Sequence, residues 1–510
     1  MSRLRREEGF TLVVVLAALT IGTLLSIWAL DAATGDLAGA RGSQDRKAAY
    51  AAAESGIDYY RFRLAKDNDV WKNCANVDPP LTTPRSPVNQ MWNGAGADPR
   101  QWRNVTGSSA QYTVELLPSN GATACNPAQW DATMIDASTG TFRIRATGRV
   151  GRVTRSIVAT FRRKSFLDFL WYTDYETMDP IATSDPIWSQ ANCVKYRSQR
   201  PGGCVQIQFG SFDKLNGPLH SNDSLLICGG ATFGRNSGDH LESSQPDPGW
   251  VSAGCGGSPD FKAAFDYGVA SMDMPPTNAS LSSAAVAPYR YTGRTLITLK
   301  GAVMDVTRSD GSTQLDQPLP PNGVLWVGDG GCAVPDDPPP SAKYNESSGC
   351  ATVYVHGTYS KDLTIASAKD IVVDGDLTRN GNFVAGLIAD NFVRVQHKVT
   401  WSGNTCTGNA PGVGGDRTID AAIMSVQHSF FADNYDCGAP LGTLHVNGAI
   451  AQRFRGTVAT SGGSSVATGY AKDYNYDDRL HYRNPPFFLD PVESAWLRIR
   501  QNEQVPATGT

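Results

Sequence analysis

The chain has 510 residues, length enough for two or three domains, with 45 Lys and Arg against 49 Asp and Glu and a formal net charge of −4. Nothing in that balance points to nucleic acid as a partner. Charged residues make up only 18%, and 51 Gly with 30 Pro favour a turn-rich, β-rich body over a helical one.

The first element in chain order is the run from Phe10 to Leu30, which holds no charged residue and only Thr, Ser and Gly as small interruptions. It is about as long as an α-helix must be to cross the hydrocarbon layer. A cleaved secretory signal has a shorter apolar core and a small-residue cleavage site behind it. A buried core helix keeps a polar face, and this run has none. Arg3, Arg5 and Arg6 precede it, and Asp31 and Asp36 follow. The positive-inside tendency then expects the N-terminus in the cytoplasm and the rest of the chain outside.

The junction itself, EEGFTLVVV from Glu7 to Val15, resembles the leader junction of type IV pilins and pseudopilins. The resemblance implies that residues 1–9 are a short basic leader, that a prepilin peptidase cuts after Gly9, and that the new amino terminus at Phe10 is methylated. It also implies that Thr11, Leu12, Val13, Val14 and Leu16 stay in the mature chain as part of a membrane and assembly helix over 10–66. Major subunits of that family carry a glutamate at the fifth mature position, where this chain has Val14. Its physical meaning is electrostatic, because a free amine carried into an apolar filament core is costly unless a carboxylate neutralises it. A subunit with Val14 cannot serve the next subunit's amine, although its own amine can still reach a partner's glutamate. By resemblance this suggests a minor, low-copy subunit at the tip or at initiation.

Beyond the apolar run, Tyr50, Ala53, Ile57, Tyr60 and Leu64 recur every three or four residues, the spacing of one helix face. With no proline between Phe10 and Lys72, one long helix is expected, weakest near Gly35 and Gly39, which each cost about 1 kcal/mol against alanine. The phrase AAYAAAESGIDYYRFRL is similar to the N-terminal helix of PilX-like minor pilins.

Residues 67–165 read as a pilin-like β domain. Its first part is irregular and proline-rich. YTVELL at 112–117 then alternates, and so does 142–163, with a turn expected at Gly148 to Gly151. The aromatic, acidic stretch 166–180 marks a domain junction. Within a head expected over 166–485, short apolar units such as TVYVHG, IVVDG and LHVNGAIA recur from about 205 to 485 every 8–12 residues between Gly, Asn and Asp. That weak repeat predicts a large β-solenoid-like (β-helix) head, with a β-sandwich as the competing architecture. Residues 486–510 are expected to form a final short helix from about Pro491 and a tail. The fold class expected is therefore α+β to mainly β, with a long N-terminal helix, a pilin-like β-meander and the solenoid-like head.

The ten cysteines fall in sequential twos, Cys74/Cys125, Cys193/Cys204, Cys228/Cys255, Cys332/Cys350 and Cys406/Cys437. None makes a C-x-x-C, so thiolate metal binding is disfavoured, and an even count in an exported chain suggests disulfides, with local pairing the simplest choice. His220, His356 and His445 stand in echoing phrases, and Asp374 with Asp376 forms a carboxylate pair of the kind glycoside chemistry needs. Each reads more simply as a turn or corner residue. No G-x-S-x-G elbow and no H-E-x-x-H is present. Asp473, Asn475 and Asp477 match the first three ligand positions of a calcium loop, but Asp478 and Asn484 stand where Gly and Glu belong. Calcium and an acidic surface loop remain the two readings there.

Together these features predict a non-enzymatic minor type IV pilus or pseudopilus subunit that acts in filament assembly and presents a large head, with no cofactor required. Its expected partners are other pilin subunits, the prepilin peptidase, the membrane, and a surface glycan or cell ligand. Its expected location is the bacterial cytoplasmic membrane before assembly and the cell surface after it. The alternative is a membrane-anchored adhesive or carbohydrate-active β-helix protein.

Overall fold

The structure, a computed structural model, describes residues 10–66, 70–73, 102–122, 125–126, 133–136, 139–252, 254–332, 347–462, 465–492 and 496–505. The chain is mostly sheet with one long helix and divides into two compact units. The first comprises residues up to Ile135, Thr141–Arg162 and Trp496–Thr510, and the second comprises Asp136–Gly140 and Arg163–Ala495.

The first unit is built on helix α1, Phe10–Lys66, which runs unbroken through Gly35 and Gly39. Its C-terminal half buries Ala53, Ile57, Tyr60 and Leu64 of the face that the spacing predicts, while Tyr50 is only half-buried and its neighbour Ala49 is buried instead. Against it lie β1 (Arg103–Asn104), β2 (Gln111–Leu117), β3 (Thr141–Val150) and β4 (Val153–Arg163), paired antiparallel in sequence order. The β3–β4 turn sits at Gly151, at φ +56°, and not over Gly148–Gly151. Gly148 is inside β3 for another reason. A Cβ there would run into the Ala49 carbonyl oxygen and lie 2.5 Å from the Ala53 nitrogen, so only glycine lets the helix come this close to the sheet.

The expected C-terminal helix is not formed. Trp496–Gln504 is a strand that follows β4 as the fifth member of this sheet. The reason is packing. Trp496 is 9% exposed and meets Phe142 edge-on at 5.0 Å and Trp71 at 5.7 Å, while Arg155 on β4 pairs with Glu503 and Arg145 donates to Gln504 at 2.8 Å. An edge strand docked this way outweighs the helical spacing of Val492, Ala495 and Trp496. The tail therefore belongs to the N-terminal unit, and the second unit is a long insertion between β4 and the last strand.

The second unit is dominated by parallel ladders, with antiparallel hairpins only at 295–318, 399–409 and 459–469 among the described residues, so the antiparallel sandwich is not what this sequence forms. Identical registers stack apolar side chains into columns. Leu325, Ile365, Leu387, Ile423, Ile450, Trp171, Leu219, Leu241 and Phe265 are successive partners in one ladder. Leu377, Ile419, Val446, Tyr474, Leu215, Phe233 and Phe261 are successive partners in another.

These columns do not follow chain order. The chain enters at β5 (Trp171–Met178), adds the strand pairs 214–221, 232–243 and 260–267, then runs back through 268–289. That return segment is held at Met272 by Tyr172 and Asn222, at Asn278 by Ser367 and Asp390, and at Ala284 by Asn322. From Arg290 the chain winds a second time and ends with Pro440–Arg455 and Val466–Tyr476. β5 then pairs with 450–455 on one side and 219–221 on the other, while Val466–Tyr476 pairs with 440–448 and with 215–216. One level of the ladders is thus made jointly by the first and last strands of the unit.

A polar column lies beside the apolar ones. Ser367, Ala389, Ser425, Gln452, Thr173, Ser221 and Ser243 occupy successive register positions and are fully buried. Apart from Ala389 and Thr173, several of their side chains serve backbone groups at the bends. Ser425 accepts from Val393 N, Gln452 from Phe430 N, and Ser221 from Asp223 N. Short hydroxyls here supply what the ladder cannot give a turning backbone.

Two substitutions test the N-terminal unit. Trp496→Ala is expected to lower its unfolding stability by about 3–5 kcal/mol, and Gly148→Ala by about 1–3 kcal/mol, in urea titrations. A Trp496→Ala variant as stable as the parent would show that the last strand does not dock.

Candidate functional site

The most exposed apolar surface is the first half of α1. Leu12–Asp31 has a mean hydropathy of 2.4 and none of it is buried. Leu12, Val13, Leu16 and Trp28 are more than half exposed, and Val14 is half exposed. The polar residues inside the run satisfy themselves. Thr20 and Thr23 donate to the carbonyls of Leu16 and Leu19 at 2.9 Å, and Ser26 donates to that of Gly22 at 2.8 Å. No hydroxyl there needs water, which is what hydrocarbon or a dry protein core demands. Twelve Leu, Ile, Val or Phe residues lie between 10 and 30. On an insertion scale they favour the bilayer by roughly 4–7 kcal/mol together. Gly9 and the side chains of Phe10 and Thr11 lie outside the described residues.

The calcium candidates take a different form from the one expected. Asp473, Asn475 and Asp477 lie on and just past the strand Val466–Tyr476, not in a loop. Alternate residues of a strand sit about 6–7 Å apart along one face, too far to close around one ion without a turn. Each also has partners. Asp473 meets His445 Nδ1 at 2.7 Å, Asn475 accepts from Asn216 at 2.9 Å, and Asp477 pairs with Arg479 and, at 3.3 Å, with Arg379. Burial works to raise the Asp477 carboxyl, but Arg479 and Arg379 outweigh it and hold it below its usual range. Among the described residues no group of three His, Cys, Asp or Glu side chains is placed to hold a metal ion.

The three echoing histidines divide between ladders. His356 and His445 share one outward column, where His356 lies 2.9 Å from Asp374 and His445 lies 2.7 Å from Asp473. His220 stands on the other ladder, buried under Tyr172 and Phe169, 2.6 Å from Glu242 and 2.9 Å from Asn222. Burial alone would raise the Glu242 carboxyl, but hydrogen bonds from His220 and Lys164 pull it down to about 2. Asp374 and Asp376 sit in a bulge opposite Val355 and Gly357 and turn to different neighbours. Asp374 takes His356, while Asp376 accepts from Thr418 N at 3.0 Å and faces Arg417 at 3.6 Å. Neither is left to act on the other's behalf.

Four of the expected cysteine pairs are joined, Cys193–Cys204, Cys228–Cys255, Cys332–Cys350 and Cys406–Cys437. Cys125 is disulfide-bonded as well, and Cys74 lies outside the described residues.

A polar centre that sequence reasoning missed lies where β5 meets its neighbours. Asn222 donates to Asp174 at 2.9 Å, to Tyr172 Oη at 3.0 Å and to the Met272 carbonyl at 2.7 Å. It thereby ties β5, the strand Leu219–Ser221 and the return segment together. Burial pushes the Asp174 carboxyl up to about 6, against the Asn222 hydrogen bond that favours its charged form. Nearby, the buried Glu176 meets Arg455 at 3.0 Å across 279 residues of chain, and the Arg455 guanidinium lies 3.4 Å from the Phe209 ring centroid. In the sequence these polar residues carry no periodicity, because their partners come from the opposite end of the unit.

No family model matches the chain, and no curated protein matches it. Among solved structures the chain is similar to the competence-associated pilin ComZ from Thermus thermophilus, at 12% identity and a TM-score of 0.28, with 90% of this chain and 97% of that chain covered.

The Asp174 environment sets a pH dependence. Its folded carboxyl holds a proton to about pH 6, above the ordinary 3.8, so between those values the folded state binds more protons. Stability from this group is complete below about pH 4 and is lost as pH rises through 6, a span of about 3 kcal/mol. Asp174→Asn keeps an acceptor without the charge. Its unfolding free energy relative to the parent is expected to rise by about that amount between pH 4 and pH 7.5. A difference that stays constant with pH would contradict the assignment.

Proposed function

We propose that this chain is a non-enzymatic, minor subunit of a type IV pilus or pseudopilus, held in the membrane by residues 10–31 and moved by that helix into a filament at its tip or start. The observation that carries the reading is the apolar half of α1. It is long enough to span the bilayer, wholly exposed, internally hydrogen-bonded, and continuous with a half that packs on an antiparallel sheet. Together with the EEG–FTLVVV junction, this favours a helix that exchanges lipid for sister helices over a plain stalk.

Val14 supports the low-copy position. It offers no carboxylate to the amine of a following subunit, and no other residue from Phe10 to Leu30 does so. The size of the inserted second unit supports it too, because a bulky head on every subunit would crowd a repeating shaft. Its parallel ladders, turning at Ser, Gly and Asn bends, are read as a β-solenoid that displays its outer surface outside the cell. The disulfides suit that oxidising location. The separate partners of Asp374 and Asp376 speak for an assembly role over glycoside chemistry.

The test is processing. The mature chain from surface material is expected to begin at a methylated Phe10, and Gly9→Val is expected to leave the nine leader residues attached and the protein in the membrane fraction. Native protein that begins at Met1, or a variant unchanged in mass and location, would overturn the reading and leave a membrane-anchored adhesive protein as the alternative.

A further inference from the structure

The hairpin of strands Val399–Ser402 and Thr405–Asn409 is an insertion that pairs with no ladder strand. It stands beside residues 434–439, and the Cys406–Cys437 disulfide joins the two. Between them lies a pocket of about 860 Å³, lined by Trp401, Asn404, Thr405, Thr407, Asn434 and Asp436 among others.

The pocket's base is built with care. His397 is buried, its Nε2 lies 3.1 Å from Asn409 Oδ1, and its Nδ1 faces the carbonyls of Asp433 and Asn434. Asn409 donates on to the Ala439 carbonyl at 3.2 Å. A Cβ on Gly438 would collide with Asn409, so the loop closes tightly on that amide. Asn434 is held at φ +45°, a conformation non-glycine residues adopt at a cost, and it is 5% exposed. Its Nδ2 donates to the His397 carbonyl at 3.0 Å, while its Oδ1 has no hydrogen-bond partner. This buried amide, with one acceptor unpaired, holds the floor behind the pocket in one conformation.

We infer that this pocket binds a neutral oligosaccharide. The lining chemistry selects the class. It contains amides and hydroxyls that both give and accept hydrogen bonds, a single carboxylate, and one indole, with no Lys or Arg to hold an anion. A sugar ring matches each part: an apolar C–H face for Trp401, and a rim of hydroxyls for Asn404, Thr405 and Asp436. The volume falls in the range of small-ligand sites. The inference goes beyond the assembly reading and stands whether or not α1 enters a filament.

The experiment uses the full chain in a zwitterionic detergent without a sugar headgroup, titrated calorimetrically with chitotetraose, cellotetraose, maltotetraose and mannotetraose, and with tetragalacturonate as the anionic probe. At least one neutral probe is expected to bind. Trp401→Ala and Asn404→Ala should each weaken it about tenfold, equivalent to about 1.4 kcal/mol. Trp250→Ala, in a separate aromatic groove with Phe261 and Phe265, should leave it unchanged. Thermal unfolding monitors the fold of each variant. If Trp401→Ala does not fold, Asn404→Ala, an exposed residue at the hairpin tip, decides. No binding by any neutral probe, binding of the anionic probe alone, or binding that survives the deciding variant or is lost in Trp250→Ala would each overturn the proposal.

Discussion

The structure of the second unit depends on one shared level of its ladders. β5 and the strand Val466–Tyr476 come from opposite ends of a chain segment about 300 residues long, yet each pairs with strands on both sides. Without β5 the column Ile450–Trp171–Leu219 is cut, and the two windings lose their common core. Closing so long a loop costs only slowly more entropy with length, so the arrangement is affordable at equilibrium. It is demanding in time, because the level cannot form until both ends exist. The buried Glu176–Arg455 pair and the Asn222 centre stand at this junction. Mispairing would leave either of these buried charges alone, which is strongly destabilising, so the pair penalises a wrong partner strand.

The same logic of closing on distant chain holds in the first unit. Its sheet is finished by Trp496–Gln504, after the whole insertion has been made. Trp496 completes an aromatic cluster with Trp71, Phe142 and Phe161, all nearly or fully buried. The apolar half of α1 lies outside this closure. Its span Leu12–Asp31 is apolar and unburied in the folded chain, a surface that suits lipid or other apolar helices.

What the sequence made legible was what depends on near neighbours. The membrane-length run, the helix face at Ala53, Ile57, Tyr60 and Leu64, the β3–β4 hairpin and four cysteine pairs all follow from local spacing. What it hid depends on distant chain. Trp496 stands at helical spacing in the sequence, while its strand partner β4 lies far back in the chain. The DYNYDD stretch read as a loop because its ladder neighbours, at 444–448 and 215–216, lie on either side in space but not in order. The serine column escaped notice because a single Ser per turn has no period of its own. Gly148 read as part of a turn, whereas its role is to admit the Ala49 backbone. The echo that grouped His220 with His356 and His445 was a likeness of words, since His220 stands on a different ladder.

The account rests on a helix that leaves lipid for a protein environment. The most direct measurement places a photocrosslinking amino acid at Leu16 and compares irradiated membranes with material sheared from the cell surface. The account predicts lipid adducts in the membrane and adducts to other apolar helices in the sheared material. Lipid adducts alone, with no crosslinked protein released at the surface, would contradict it.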